Sequence, residues 1–167
     1  LAPDDLSLAR AEHNLARWLL RNGRRAEAGP LLDSSANTRL AKPPPAHNEA
    51  VDARLLQAER RIAGGEDAAA AALLADLAAQ QEALSPMRRA GLWRAQALLA
   101  QARGQGAAAV DLQRRALQLM QERGGPRNPR LLLLQIELAE RLAAQGQAAA
   151  ARQILQAQQA PLASQHA

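Results

Sequence analysis

The chain has 167 residues and a formal net charge of +5, and it contains no Cys, no Phe and no Tyr. The lack of Cys excludes disulfides, thiolate catalysis and Cys-ligated metals, and no uninterrupted apolar stretch reaches the ~18 residues that a membrane span needs. Ala, Leu, Gln and Arg dominate and favour helices, while only six residues are β-branched, so we expect an all-α fold.

Four glycines recur along the chain at nearly constant spacing, with Gly23, Gly65, Gly104 and Gly146 lying 42, 39 and 42 residues apart. Alanine stands seven residues before, three after and five after each of them, and a branched aliphatic residue stands eight after. The four columns are Ala16, Ala58, Ala97 and Ala139; Ala26, Ala68, Ala107 and Ala149; Ala28, Ala70, Ala109 and Ala151; and Leu31, Leu73, Leu112 and Ile154. A glycine that ends one helix, flanked by alanines where two helices cross, indicates a helical hairpin repeated four times.

The predicted hairpins follow one another in chain order. They comprise about 5–34, 49–83, 87–122 and 129–158. Their predicted helices are 5–22 with 25–34, 49–63 with 66–83, 87–103 with 106–122, and 129–144 with 147–158. Two of the helix starts have a clear local signal, because Ser85-Pro86 and Asn128-Pro129 each place an N-cap residue before a proline at the first helical position.

The segment between the first two hairpins breaks the regular pattern. Residues 37–48 contain Pro43, Pro44 and Pro45 in succession. Consecutive prolines favour extended polyproline II, so we expect a stiff linker, with a docking site for a proline-binding domain as the alternative. The two tryptophans, Trp18 and Trp93, are interpreted as packing residues.

The repeat resembles the tetratricopeptide repeat (TPR). In that family a Leu-(Gly/Ala) pair is followed by a glycine and then an alanine, as in Leu15-Ala16…Gly23…Ala28 and Leu138-Ala139…Gly146…Ala151. Gln57 and Gln96 replace the leucine in the middle units. The period of about 42 residues resembles the long-repeat subclass typified by kinesin light chain. The resemblance covers roughly 4–158, and it implies a single domain over 1–167 that forms a right-handed α-α superhelix, a solenoid of four hairpins.

The same resemblance implies a concave groove, lined by the first helix of each hairpin, that holds an extended peptide or a partner helix. The family's groove positions fall on Arg10, His13, Arg17, Leu20 and Arg21 in the first hairpin and on Asp52, Leu55, Glu59 and Ile62 in the second. In the third and fourth hairpins they fall on Arg94, Leu98 and Gln101 and on Leu133, Ile136 and Glu140.

A basic stripe stands out among these positions. Arg10, His13, Arg17 and Arg21 are three or four residues apart and therefore share one helix face. Such a stripe beside Leu and Ile would suit a peptide with carboxylates and apolar anchors; a solvated arginine face is the alternative. We expect a protein-interaction module that, by analogy, forms a regulatory or scaffolding part of a larger bacterial protein. The use of Arg almost to the exclusion of Lys is typical of a GC-rich genome.

Two other functions stay open. Exposed aliphatic residues of the last hairpin, Ile154, Leu155 and Leu162, would support a homodimer. The cluster Arg88, Arg89, Arg114 and Arg115 would suit nucleic acid, although no aromatic residues interleave with it to stack bases.

The sequence predicts no catalytic, cofactor or metal site, and hence no enzyme. His13, His47 and His166 are far apart, no H-x-x-x-H pair occurs, and no serine has a catalytic motif around it. The compartment stays open, with the cytoplasm favoured over the periplasm.

Overall fold

The computed structural model describes residues 6–41, 46–124 and 128–156, and most of the residues in these ranges are helical. The helices are α1 (Leu6–Arg21), α2 (Arg25–Leu40), α3 (Ala46–Ala63), α4 (Asp67–Ala78), α5 (Pro86–Ala102), α6 (Gly106–Gly124), α7 (Pro129–Ala144) and α8 (Ala148–Gln156). A short 3-10 turn at Gln81–Ala83 follows α4. No strand occurs in these ranges, so the all-α expectation is confirmed.

The chain divides into two compact units, Leu1–Leu84 (unit 1) and Ser85–Ala167 (unit 2). In unit 1, α1 packs on α2, α2 on α3, and α3 on α4. In unit 2, α5 packs on α6, α6 on α7, and α7 on α8. Each unit therefore contains two helical hairpins, and the described ranges contain the four hairpins that the sequence predicts.

Each hairpin turns at one of the four recurring glycines. Gly23, Gly65, Gly104 and Gly146 have φ values of 74°, 76°, 72° and 75°, in the left-handed region that favours glycine. The backbone N–H of Gly104 donates to the carbonyl of Gln101 at 2.9 Å, and the N–H of Gln105 donates to the carbonyl of Ala100 at 2.8 Å. These two bonds are the Schellman motif, and the other three turns repeat it. The prediction that the glycines end the first helices is confirmed.

Two of the three alanine columns are buried. The alanines seven residues before and five residues after each glycine are at most 6 % exposed, which lets the paired backbones approach closely. The alanines three residues after each glycine are exposed, so the interpretation that they lie where helices cross is wrong. The columns three and five residues after each glycine are two residues apart, and such residues point to nearly opposite sides of an α-helix. Only one of these two columns can therefore face the partner helix.

Each unit buries its own apolar cluster. In unit 1, Leu19 and Leu32 pack with Ala16 and Ala28. In unit 2, the core contains Val110, Leu117, Met120, Leu131, Leu134, Leu138 and Leu142, with Trp93 packed against it. The packing interpretation is therefore confirmed for Trp93. It is wrong for Trp18, which is 52 % exposed and lies beneath the guanidinium of Arg24, 5.8 Å from the ring centroid.

The connection between the first two hairpins is shorter than the predicted linker over 37–48. α2 continues to Leu40 because Ser35, Ala36 and Arg39 are buried, so tertiary packing stabilises its last turns. α3 already begins at Ala46. The proline run itself, with Lys42, lies outside the described residues.

The two predicted N-caps differ. Asn128 Oδ1 accepts a hydrogen bond from the backbone N–H of Arg130 at 3.0 Å, so this cap is confirmed. Ser85 precedes Pro86 at the start of α5, but its side chain makes no capping hydrogen bond.

Candidate functional site

The predicted basic stripe lies along α1 in unit 1. Arg10, Arg17 and Arg21 are exposed, and His13 is half-buried between the first two of them along the helix. The four side chains follow a three- and four-residue spacing, so they occupy one face of α1. We name these residues the basic face.

Glu49 of α3 connects the basic face to α2. Its carboxylate accepts from Arg10 at 3.3 Å and from Arg39 Nε at 3.1 Å. The Arg39 side chain is only 3 % exposed and also donates to the hydroxyl of Ser35. Partial burial acts to raise the pKa of Glu49, but the hydrogen bonds from both arginines outweigh it and hold that pKa below its ordinary value. Glu49 therefore remains a carboxylate that fixes α1 to α2.

His13 is held in its neutral form. Burial lowers its pKa below 6.5, and the charges of Arg39 and Arg17 lower it further, against the opposing effect of Asp52 and Glu49. Its Nδ1 atom is buried without a hydrogen-bond partner. At neutral pH the basic face thus carries the charges of its arginines and a neutral imidazole.

The predicted groove residues of α3 are less accessible. Leu55 is 8 % exposed, so it is buried within the protein, as aliphatic side chains usually are. A ligand therefore cannot reach it. Asp52, Glu59 and Ile62 are partly buried, as is Leu20 of α1. Among the predicted groove residues of unit 1, those that a partner can reach are therefore mainly the arginines of the basic face.

In unit 2, the predicted groove residue Arg94 is engaged within the protein. Its Nε lies 2.9 Å from both carboxylate oxygens of Glu137, and its Nη2 lies 2.6 Å from Oε1. Gln113 Nε2 donates to the same carboxylate at 3.0 Å. Arg94 thus joins α5 to α7, a role that the sequence could not indicate because Glu137 is 43 residues away.

α7 carries an exposed aliphatic surface. Leu132, Leu133 and Ile136 are 51 %, 45 % and 39 % exposed. Ile136 follows Leu133 by three residues and Leu132 by four, so the three side chains lie on one side of the helix. We name these three residues the aliphatic face. Leu133 and Ile136 are predicted groove residues, whereas Leu132 is not, because its position is not one of the groove positions that the family resemblance implies.

The remaining predicted residues lie on α5 and α7. Glu140 and Gln101 are exposed, and Leu98 is partly buried. Within the described ranges no three His, Asp or Glu residues lie close enough together to hold a metal ion. None of the helices there combines the length and apolar character required to cross a bilayer. His166 and Leu162 lie outside the described residues.

The sequence matches no protein-family model and no curated protein, but solved structures are similar to it. One is the set of nearly identical TPR-like repeats of a Podosopora anserina protein described as a kinesin light chain. It matches with a TM-score of 0.72 and 27% identity over 98% of this chain and 77% of that chain. A substituted variant of that protein matches with a TM-score of 0.72 and 26% identity over 97% of this chain and 76% of that chain.

The structural similarity agrees with the internal evidence. Four hairpins, glycine Schellman turns at a period of about 42 residues, and buried alanines beside each turn are all present in this chain. The matched structures are built from repeats of the same kind. The chain is a TPR-like repeat domain.

Proposed function

We propose that the domain is a protein-interaction module that binds a peptide or partner helix with carboxylates and apolar anchors. The observation that carries the proposal is the aliphatic face of α7, with Leu132, Leu133 and Ile136 between 39 % and 51 % exposed. Full burial of such a side chain contributes about 1.5–3 kcal/mol. A partner that covers these residues would gain part of that free energy.

The basic face of α1 supports the second element of the proposal, the carboxylates. Arg17 and Arg21 are exposed, and Arg10 is 67% exposed even though it pairs with Glu49. Guanidinium groups bind carboxylates through paired hydrogen bonds, and positive charge accelerates association with an acidic partner.

The fold supports a binding role rather than a catalytic one. TPR-like solenoids present extended surfaces to other polypeptides, and we propose that this one serves as a regulatory or scaffolding part of a larger bacterial protein.

Fluorescence anisotropy with designed peptides tests this proposal. One labelled peptide carries glutamates and leucines, a second has glutamine for each glutamate, and a third has serine for each leucine. We expect the first to bind most tightly, and the double variant Leu133→Ser/Ile136→Ser to weaken it at least tenfold, or about 1.4 kcal/mol. Arg17→Ser/Arg21→Ser should weaken it less and reduce its dependence on salt.

The matched control is Arg114→Ser/Arg115→Ser, which removes two exposed arginines from α6. It lowers the net charge by the same amount as the α1 variant and should leave the affinity for the peptide unchanged. Equal losses in both arginine variants would indicate that only net charge matters. Unchanged binding by Leu133→Ser/Ile136→Ser would contradict the proposal.

Self-association is a second candidate, favoured by Leu155, which is 43 % exposed on α8. Ile154 beside it packs against the core of unit 2 and is less available for a dimer. Light scattering over a concentration series measures this candidate directly. Binding of labelled oligonucleotides with a steep salt dependence would instead favour nucleic acid, the lesser alternative.

A further inference from the structure

The joint between one hairpin and the next occurs once inside each unit. In unit 1, α3 packs on α2, and in unit 2, α7 packs on α6. Aligning the hairpins on their glycines shows which residues of the other helices hold the same positions. On the first helices the aligned sets are Ala11, Leu15 and Trp18 of α1; Ala53, Gln57 and Arg60 of α3; and Leu134, Leu138 and Arg141 of α7.

In both internal joints these positions contact the preceding helix. The side-chain amide of Gln57 donates to Asp33 of α2, and the guanidinium carbon of Arg60 lies 3.4 Å from where a Cβ on Gly29 would stand. In unit 2, Gln113 of α6 donates to the carbonyl of Leu134 at 3.0 Å. The contacts bury the surface, and Ala53, Gln57, Leu134, Leu138 and Arg141 are all at most 8 % exposed.

The same positions are exposed on α1. Leu15 is 49 % and Trp18 52 % exposed, and Ala11 is exposed as well. A leucine and a tryptophan on neighbouring turns of one helix form an apolar surface of the kind that marks interaction sites. We name Ala11, Leu15 and Trp18 the leading face.

The complementary half of the joint is exposed on α8. Leu155 is 43 % exposed, whereas its counterparts Leu32 of α2 and Gln113 of α6 are 0 % exposed. Arg152 and Gln156, which hold the positions of Gly29 and Asp33, are exposed too. We name Arg152, Leu155 and Gln156 the trailing face.

We infer that a second copy of the chain occupies these faces, with the trailing face of one copy packed on the leading face of the next in the register of the internal joints. In that register Arg152 of one copy lies against Trp18 of the next, because the equivalent residues of the joint in unit 1 are Gly29 and Arg60, which lie close together. The contact would place a guanidinium against an indole ring. Likewise, Leu155 of one copy lies against Ala11 of the next, because the equivalent residues of the joint in unit 2 are Gln113 and Leu134, which are in contact. The inference deepens the self-association candidate by naming its two surfaces, and its failure would leave the peptide-binding proposal untouched.

Such an interface is heterologous, because each copy contributes a different face. It therefore differs from a symmetric dimer in which the last hairpins of two copies meet. Each of the two faces consists of only three named residues, so we expect a dissociation constant in the micromolar range or weaker.

Sedimentation velocity from about 5 to about 500 µM tests the inference. The sedimentation coefficient of the wild type should rise with concentration. Leu15→Glu on the leading face and Leu155→Glu on the trailing face should each weaken self-association at least tenfold. Both side chains are exposed, so the variants should fold, which circular dichroism verifies. The control Met87→Glu, at an exposed apolar residue of α5 outside the named faces, should associate like the wild type.

Mixing the two variants distinguishes the heterologous interface from a symmetric dimer. Leu15→Glu retains an intact trailing face and Leu155→Glu an intact leading face, so an equimolar mixture should form a dimer that grows no further. A wild type that stays monomeric throughout, a Leu15→Glu variant that associates like the wild type, or a mixture that stays monomeric would each overturn the inference.

Discussion

Arg94 of α5 and Glu137 of α7 form a two-point ion pair within unit 2, with nitrogen–oxygen distances of 2.6 Å and 2.9 Å. The two side chains are 21% and 12% exposed. Gln113 of α6 donates to the same carboxylate, so three helices meet at one acidic group. Arg94 was predicted to face a ligand, and its position makes it a residue that holds the helices of unit 2 together.

We expect Arg94→Met to lower the free energy of unfolding by about 2–3 kcal/mol, because it leaves a mostly buried carboxylate without its cation. Glu137→Gln should cost a similar amount. The double variant Arg94→Met/Glu137→Met should cost less than the sum of the two single changes, as coupled residues do. Urea unfolding of all variants measures these values. Simple additivity would show that the two side chains act independently.

Gly104 is expected to be sensitive to substitution for a conformational reason. No atom lies within 4 Å of a Cβ placed there, so alanine meets no steric obstacle. Its φ of 72° is nevertheless unfavourable for a residue with a Cβ. Gly104→Ala should therefore lower the free energy of unfolding by about 1 kcal/mol. Gly104→Asn should cost less, since Asn tolerates this conformation better. Equal stability of Gly104→Ala and the wild type in thermal unfolding would contradict this account of the turn.

Two buried arginines are expected to respond differently when each is replaced by methionine. Arg141 is 4 % exposed, and its Nε and Nη2 atoms have no hydrogen-bond partner. Burial lowers its pKa, as expected for a cation short of compensating contacts. Arg141→Met should therefore leave stability unchanged or raise it by about 1 kcal/mol.

The matched control is Arg39, which is 2 % exposed but bonded to Glu49 and Ser35. Arg39→Met should lower stability by about 2 kcal/mol, because it removes charge-assisted bonds. Thermal unfolding of both variants compares them. A destabilised Arg141→Met would show that its guanidinium contributes more than its single bond to the carbonyl of Glu137 indicates.

His13 should make stability depend on pH. Its pKa in the folded chain is below 6.5, so the unfolded chain binds the proton more readily. The stabilisation is fully present above pH 6.5 and is lost as pH falls from there through the lowered pKa of the folded state. Unfolding experiments between about pH 8 and about pH 5.5 should show a smaller loss in His13→Gln than in the wild type. This window lies above the ordinary pKa of 4.5 for Glu49. Identical pH slopes in both proteins would exclude His13 as the cause.

The hairpin turns could be predicted from sequence because their cause is local. A Schellman turn needs a left-handed residue at one position, and Gly23, Gly65, Gly104 and Gly146 supply it at a regular period. The α1 basic face was predictable for the same reason, since a three- and four-residue spacing fixes a helix face.

Features that depend on distant residues could not be predicted. The burial of Leu55, the ion pair of Arg94 and the extension of α2 to Leu40 all follow from tertiary contacts. The exposure of Trp18 could not be predicted either, because it depends on whether another helix packs on that side of α1. Sequence pattern alone identified the face of a helix, but it could not identify what that face meets.

The most direct test of the interaction-module account is to map peptide binding on the wild-type protein by heteronuclear NMR. The probe is the glutamate- and leucine-containing peptide. The account expects the largest shifts in the methyl groups of Leu132, Leu133 and Ile136, with further shifts in the side chains of Arg17 and Arg21. Shifts confined to residues outside the aliphatic and basic faces, or no shifts with any acidic apolar peptide, would contradict it.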